Sequence, residues 1–306
     1  MYWRVQEFVF LFSLSAAVCL ALRPNRHCSS CRPTLSKSHL ALAADDSNWW
    51  EPTWTDVEII SNEAVSASAR AIRVSITDEL RDSYRAPGQY IQVKQANADD
   101  DDNPNMCFLP LASAPRNDYF EFLVKTNRDD RSWMLEPGVT KLQLSGVLGK
   151  GFQPREIDET IMSNGERPNI FGASTIIMAA NGSGMASLKA AIESGRLTSG
   201  GTLYYGERTK EDLCYKDLYS EWKSKFGFQV VPCLSQPTKD DDLEDSVTPI
   251  KEGYVQDVVS SNGLEEHDPA TCFALLCGVM EMMDGVTEFL KGEGVSVNTI
   301  LLNLEG

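Results

Sequence analysis

The hydrophobic pattern of this chain changes period once, near residue 169, so the fold must join two differently built halves. Before that point, β-forming residues alternate or cluster in short runs at 71–77, 90–94, 119–124 and 141–145. Period two is the pattern of a strand with one buried face. Turn signals separate the runs, Ala86-Pro-Gly88 and Glu136-Pro-Gly138 among them. Short strands without long helices predict an antiparallel barrel. After residue 169, apolar strands at 174–180, 202–205, 228–234 and 271–277 alternate with helical stretches at 185–194, 211–223 and 280–291. Strand, helix, strand, helix predicts a doubly wound parallel sheet. The boundary is expected at 155–169, beside Pro154 and containing Gly165 and Pro168. Two charged runs, Asp99 to Asp102 and Lys239 to Asp245, read as solvated loops.

The first 44 residues read as a leader outside the fold. Arg4 precedes an apolar run, 8–22, of fifteen residues, shorter than the roughly 18–20 needed to cross a bilayer. It suits a signal-peptide core. From Phe8 to Ala44 no Asp or Glu occurs, while Arg23, Arg26, Arg32 and Lys37 lie among Ser and Thr, as in a transit peptide. The tandem resembles the bipartite leaders of proteins sent to secondary plastids, which predicts a plastid (chloroplast) location. The alternative is an uncleaved anchor with a basic flank.

Charge excludes some partners. Among 306 residues, 28 Lys and Arg face 44 Asp and Glu, a net −16. Five of those bases and one of those acids lie in 1–44, so the remainder carries 23 against 43, a net −20. A general nucleic-acid binder needs the opposite balance. His27, His39 and His267 are scattered and no zinc spacing occurs, so no metal site is expected. Beyond the leader, Cys107, Cys214, Cys233, Cys272 and Cys277 are odd in number and irregular in spacing, which suits a reducing compartment. No span is expected in the mature form.

Two elements carry chemistry. Asn181-Gly-Ser-Gly184 follows a strand and opens a helix, where backbone N–H groups can approach a pyrophosphate. Cys277-Gly278 ends a later strand just before a helix, at the edge where parallel sheets bind ligands. Cys277 reads either as a residue lying against a nicotinamide ring or as a buried strand residue.

Arg85-Ala-Pro-Gly-Gln-Tyr90, Pro110-Leu-Ala-Ser-Ala-Pro115, Gly149-Lys-Gly-Phe152, Asn181-Gly-Ser-Gly184, Leu203-Tyr-Tyr-Gly-Glu-Arg208, Gly253-Tyr-Val255 and Cys277-Gly278 through Met282 occur in that order. In this the chain resembles the ferredoxin–NADP+ reductase superfamily over roughly residues 55–305, and within it the plant fruit-protein-like branch. The resemblance implies a flavin-binding Greek-key barrel at 55–160 and an NAD(P)-binding α/β domain at 166–306. It implies FAD, an NAD(P)H-dependent oxidoreductase activity and a separate electron acceptor.

Carried over position by position, the resemblance places Arg85 near the flavin, with Pro110, Leu111, Ala112 and Ser113 in the flavin segment. Ser113 would supply a hydroxyl near the ring. The family's Arg-x-Tyr-Ser/Thr motif is missing: two registers put Cys107 or Leu109 at the arginine position, and no tyrosine occurs between Tyr90 and Tyr119. Loss of a charge-assisted bond of about 1.5–3 kcal/mol predicts flavin affinity weakened about tenfold to a hundredfold. That departure motivates the alternative of a non-catalytic or regulatory NAD(P)-binding module that has lost tight flavin binding. Gly149, Lys150 and Gly151 match a segment that approaches the flavin phosphates, or form a simple exposed turn. Gly182, Ser183 and Gly184 match the nucleotide phosphate loop, with Ser187 in place of its usual proline. Gly206 and Arg208, with Lys210, match the 2′-phosphate region and favour NADP(H) over NAD(H); the alternative is a solvated loop. Cys277, Gly278 and Met282 match the element that places the nicotinamide, and Cys277 and Ser113 are the candidate catalytic residues. No aromatic follows Phe289, which leaves one ring face without the usual cover. An acidic ferredoxin would meet an acidic surface, so it is disfavoured as the acceptor.

Overall fold

The computed structural model describes residues 53–96, 105–128, 130–154, 173, 175–197, 199–238, 250–262, 264 and 268–303. The leader, both charged runs, the three histidines and the 155–169 boundary lie outside the described residues. Strands β1 (Thr55–Ser66), β2 (Ala69–Ser75), β3 (Tyr90–Gln95), β4 (Met106–Pro110), β5 (Tyr119–Lys125) and β6 (Lys141–Leu148) form one antiparallel sheet. Helix α1 (Asp78–Ser83) interrupts them, capped by the Thr77 side chain on the Leu80 amide. The strand order β4-β3-β6-β1-β2-β5 is not sequential, and its ends meet beyond β4: the Ala112 amide bonds the Glu121 carbonyl at 2.8 Å. Alternation fills the interior. Ile72, Val74, Ile91, Val93, Leu109, Phe120 and Phe122 point into one core, and Trp133 and Met134 plug it from the loop after β5.

A short strand, β7 (Gln153–Pro154), leads into the second sheet. There β8 (Thr175–Asn181), β9 (Gly201–Glu207), β10 (Phe228–Leu234), β11 (Lys251–Glu252), β12 (Cys272–Cys277) and β13 (Ile300–Asn303) run parallel in the order β11-β10-β9-β8-β12-β13, with β7 antiparallel at the edge. Helices α2 (Met185–Glu193) and α3 (Tyr219–Phe226) cover one face through Leu188, Ile192 and Trp222. Helices α4 (Val255–Asn262) and α5 (Met280–Gly292) cover the other through Val258, Met283 and Leu290. Helices on both faces make the doubly wound arrangement expected, and the antiparallel sheet precedes it as expected.

The sequence pattern misled at one element. The helix expected at 211–223 is two 3-10 turns followed by α3. Tyr215 takes a left-handed conformation (φ 58°), and its amide bonds the Val65 carbonyl at 3.2 Å. The start of the segment is thus drawn onto the β1–β2 hairpin, which breaks a continuous α-helix at Tyr215.

Candidate active site

The carboxyl ends of β8, β9 and β12 and the outer face of β4 open onto one cleft of about 1310 Å³. A single small-molecule site occupies about 300–1,000 Å³, so this volume admits a second ligand. The floor is the second sheet. Gly182–Gly184 forms a 3-10 turn that runs directly into α2 and presents the start of that helix to the cleft. Gly184 must be glycine: a Cβ there would collide with the Cys277 carbonyl of the adjoining strand. At the end of β12 the chain turns through Gly278 at φ 153°, a conformation open to glycine alone. Asn181 Oδ1 fills the space beside it and accepts the Val279 amide at 2.9 Å. Ser187, in place of the proline, is fully buried and its hydroxyl bonds Asn303 Nδ2 at 2.7 Å, tying α2 to β13.

Of the candidates read from sequence, Pro110, Gly182, Ser183, Gly184, Gly206, Arg208, Cys277, Gly278 and Met282 line this cleft. The others lie elsewhere. Leu111 is in the barrel core, and Ala112 packs toward α2. Ser113 is buried, its hydroxyl accepting the Glu121 amide at 3.1 Å and its carbonyl accepting the Tyr84 hydroxyl. Arg85 gives its carbonyl to Arg196 and its amide to Gln89 Oε1. Gln89 in turn donates to the Gly149 carbonyl at 2.9 Å, and Gly151 packs on Pro87, so the two glycine-bearing segments brace each other. Lys150 is exposed, and Lys210 accepts Lys216 Nζ through its carbonyl.

Cys107 and Leu109, the two positions considered for the missing arginine, are both buried in the barrel core, and Cys107 also borders the cleft. Strand alternation turns Met106 and Phe108 outward instead, 45% and 51% exposed, into the cleft. The Tyr90 ring meets Phe108 edge-on at 5.8 Å between centroids. Sequence reasoning missed this aromatic pair, although period two along 106–110 carried the signal. It also missed Arg128 and Arg131, both of which line the cleft alongside Asn181. The fit to a flavin is therefore an aromatic wall on the barrel side; the fit to a nicotinamide nucleotide is a glycine turn and helix start on the other.

Electrostatics separate structural from exposed groups. Burial pushes Cys107 and Cys272 up to about 11 and Cys233 up to about 12, so these thiols stay protonated. All five cysteines of the described residues are free and buried. Lys125 of β5 pairs with Glu207 of β9, bridging the two sheets beside the cleft. No cluster of metal-ligating side chains occurs among the described residues.

A family model described as an oxidoreductase NAD-binding domain matches residues 178–288. Fruit protein pKIWI502 of Actinidia deliciosa is 29% identical over 265 residues, 81% of this chain and 76% of that protein. The reductase component of propane 2-monooxygenase from Rhodococcus jostii is 28% identical over 223 residues, 70% of this chain and 54% of that protein. A Neisseria gonorrhoeae ferredoxin NADP+ reductase solved with FAD and NADP superposes with a TM-score of 0.61 at 15% identity, covering 82% of this chain and 98% of that one. This chain has the fold of the ferredoxin–NADP+ reductase-like structures and carries a match to the oxidoreductase NAD-binding domain. A ferredoxin reductase of carbazole 1,9a-dioxygenase shares the same fold, with a TM-score of 0.60 at 20% identity over 82% of this chain and 69% of that one. In reductases of this superfamily an antiparallel flavin sheet precedes a parallel nucleotide sheet, the order found here.

Proposed function

We propose that this chain is an NAD(P)H-dependent flavin oxidoreductase that passes electrons to a separate acceptor. The observation that carries the reading is the single cleft shared by Phe108 of β4, the Gly182–Gly184 turn and Cys277 of β12. Bound nicotinamide nucleotide and FAD would supply the hydride donor and its acceptor ring; the protein supplies alignment. Phe108 and Tyr90 offer the flavin ring an apolar face. The amides of the Gly182–Gly184 turn and the start of α2 receive the nucleotide pyrophosphate. Arg208 receives the 2′-phosphate, and since Lys210 does not line the cleft, the preference for NADP(H) rests on Arg208. The Asn181–Val279 bond fixes the turn after Cys277, so Cys277 is held at the nicotinamide end.

The reading of a separate acceptor rests on the cysteine spacing of the sequence, which has no iron–sulfur pattern. No helix among them is long and apolar enough to cross a membrane. An excess of acidic residues disfavours an acidic ferredoxin as that acceptor. The acid-free composition of residues 8–44 supports a plastid location. A second reading, an NAD(P)-binding module without flavin, is favoured by β4 presenting no cation to the cleft. One experiment separates the two: incubate the purified full chain with FAD, remove excess, and add NADPH without oxygen. A retained flavin spectrum that bleaches supports the oxidoreductase; a protein that binds NADPH and retains no flavin supports the module.

A further inference from the structure

β9 ends at Glu207, one residue before Arg208, at the edge where the second strand of a parallel nucleotide sheet meets the adenosine ribose. A carboxylate at that place suits the ribose 2′-hydroxyl of NAD(H) and repels a 2′-phosphate. Glu207 therefore conflicts with the phosphate assigned to its neighbour Arg208. The antiparallel sheet removes the conflict. Lys125, the last residue of β5, reaches across and pairs with Glu207 Oε1, the two side chains being 11% and 10% exposed. The same oxygen accepts the Tyr205 hydroxyl at 2.7 Å, and burial keeps that phenol protonated. A second carboxylate stands in this corner of the cleft: Asp212 accepts the Thr209 hydroxyl at 3.1 Å. Burial pushes the Asp212 carboxyl up, but bonds from Ser68 and Thr209 and the charges of Lys125 and Arg208 outweigh it and hold it below its ordinary 3.8. Two cations, Lys125 and Arg208, thus balance two carboxylates. Without Lys125, one guanidinium would face both, and a dianionic phosphate would meet net negative charge. Arg128 and Arg131 cannot take its place, because both are committed to Asp130.

We infer that Lys125 sets the nucleotide preference: by neutralising Glu207 it lets Arg208 take a 2′-phosphate, and its loss turns the site toward NAD(H). This rests on the reading above that Arg208 receives that phosphate. Lys125 acts through Glu207 and touches no nucleotide. It lies 82 residues before Glu207 and on the other sheet, so the choice of nucleotide depends on how the two sheets are joined.

The test measures NADPH and NADH dissociation constants by nicotinamide fluorescence, for the full chain and for Lys125→Met, Lys125→Arg, Glu207→Gln and K125M/E207Q. No flavin is added, so the outcome does not depend on the flavin reading. Wild type is expected to bind NADPH more tightly than NADH. In Lys125→Met the NADPH constant is expected to rise about tenfold or more, with NADH within about twofold of wild type. Lys125→Arg keeps the charge and is expected to keep the wild-type ratio. The double variant is expected to recover NADPH binding, since no carboxylate is left there to neutralise. That comparison stands even if Lys125→Met alone does not fold: once Glu207 is Gln, losing Lys125 is expected to cost no NADPH affinity. A wild type that binds neither nucleotide, or does not favour NADPH, overturns the reading of Arg208 and the proposal with it. A wild type that favours NADPH, with the same ratio in Lys125→Met, overturns the proposal alone. So does a loss of NADPH affinity in K125M/E207Q relative to E207Q, which would put Lys125 against the nucleotide itself.

Discussion

Glu121 of β5 and Lys189 of α2 meet at 3.2 Å with side chains 0% and 3% exposed, joining the antiparallel sheet to the helix that follows the phosphate turn. Their other bonds are also met. Arg73 and the Tyr215 hydroxyl reach Glu121 at 2.8 and 2.9 Å; Lys189 reaches Glu193 at 2.7 Å and the Ala112 carbonyl at 3.3 Å. Lys189→Met strips the principal counter-charge from a buried carboxylate, which costs about 3–5 kcal/mol. Urea unfolding of the two proteins checks this, and a loss below about 1 kcal/mol contradicts it.

The same carboxylate gives stability a pH dependence. Burial pushes the Glu121 carboxyl up, but Lys189, Arg73 and Tyr215 outweigh it and hold it below its ordinary 4.5. The unfolded chain therefore binds this proton more readily than the folded one. The contribution is complete above about pH 4.5 and is lost as pH falls through the lower folded value. Unfolding free energies measured against pH are expected to fall less steeply on the acid side in Glu121→Gln than in the wild type.

Gly184→Ala drives a methyl group into the Cys277 carbonyl and forces β12 and the phosphate turn apart. Such overpacking costs about 1–3 kcal/mol, and NADPH binding weakens with it. Gly138→Ala, where the added carbon meets open space, is the control and leaves thermal unfolding unchanged.

Arg208→Gln removes the cation assigned to the 2′-phosphate. The NADPH dissociation constant is expected to rise about tenfold or more, with NADH unaffected. Titration with both nucleotides checks it; parallel losses would place Arg208 against a group the two share.

The architecture was legible because strand alternation and strand–helix alternation are local patterns, and buried faces enforce both. The Gly182–Gly184 turn and the turn at Gly278 were legible for the same reason: Gly184 and Gly278 answer to backbone geometry that only glycine meets. The flavin side was not. Matching Pro110 to Ser113 against a family motif put Cys107 or Leu109 at the position of the missing arginine; the pleat of β4 buries both and exposes Met106 and Phe108. Arg128 and Arg131 escaped notice because their neighbourhood with Cys107 is made by tertiary folding of the loop after β5. Ser113 read as a hydroxyl near the ring; its place is the seam where the chain leaving β4 meets β5.

The central claim is that both cofactors meet in one cleft, and a hydrogen isotope tests it most directly. FAD-loaded full chain is mixed without oxygen with NADPH deuterated on one or the other face of nicotinamide C4, and loss of the visible flavin band is followed. The account predicts bleaching that deuterium slows on one face only, as a nicotinamide held in one pose at the Cys277 turn would require. Bleaching slowed equally by both labels, or no bleaching at all with NADPH bound, would contradict it.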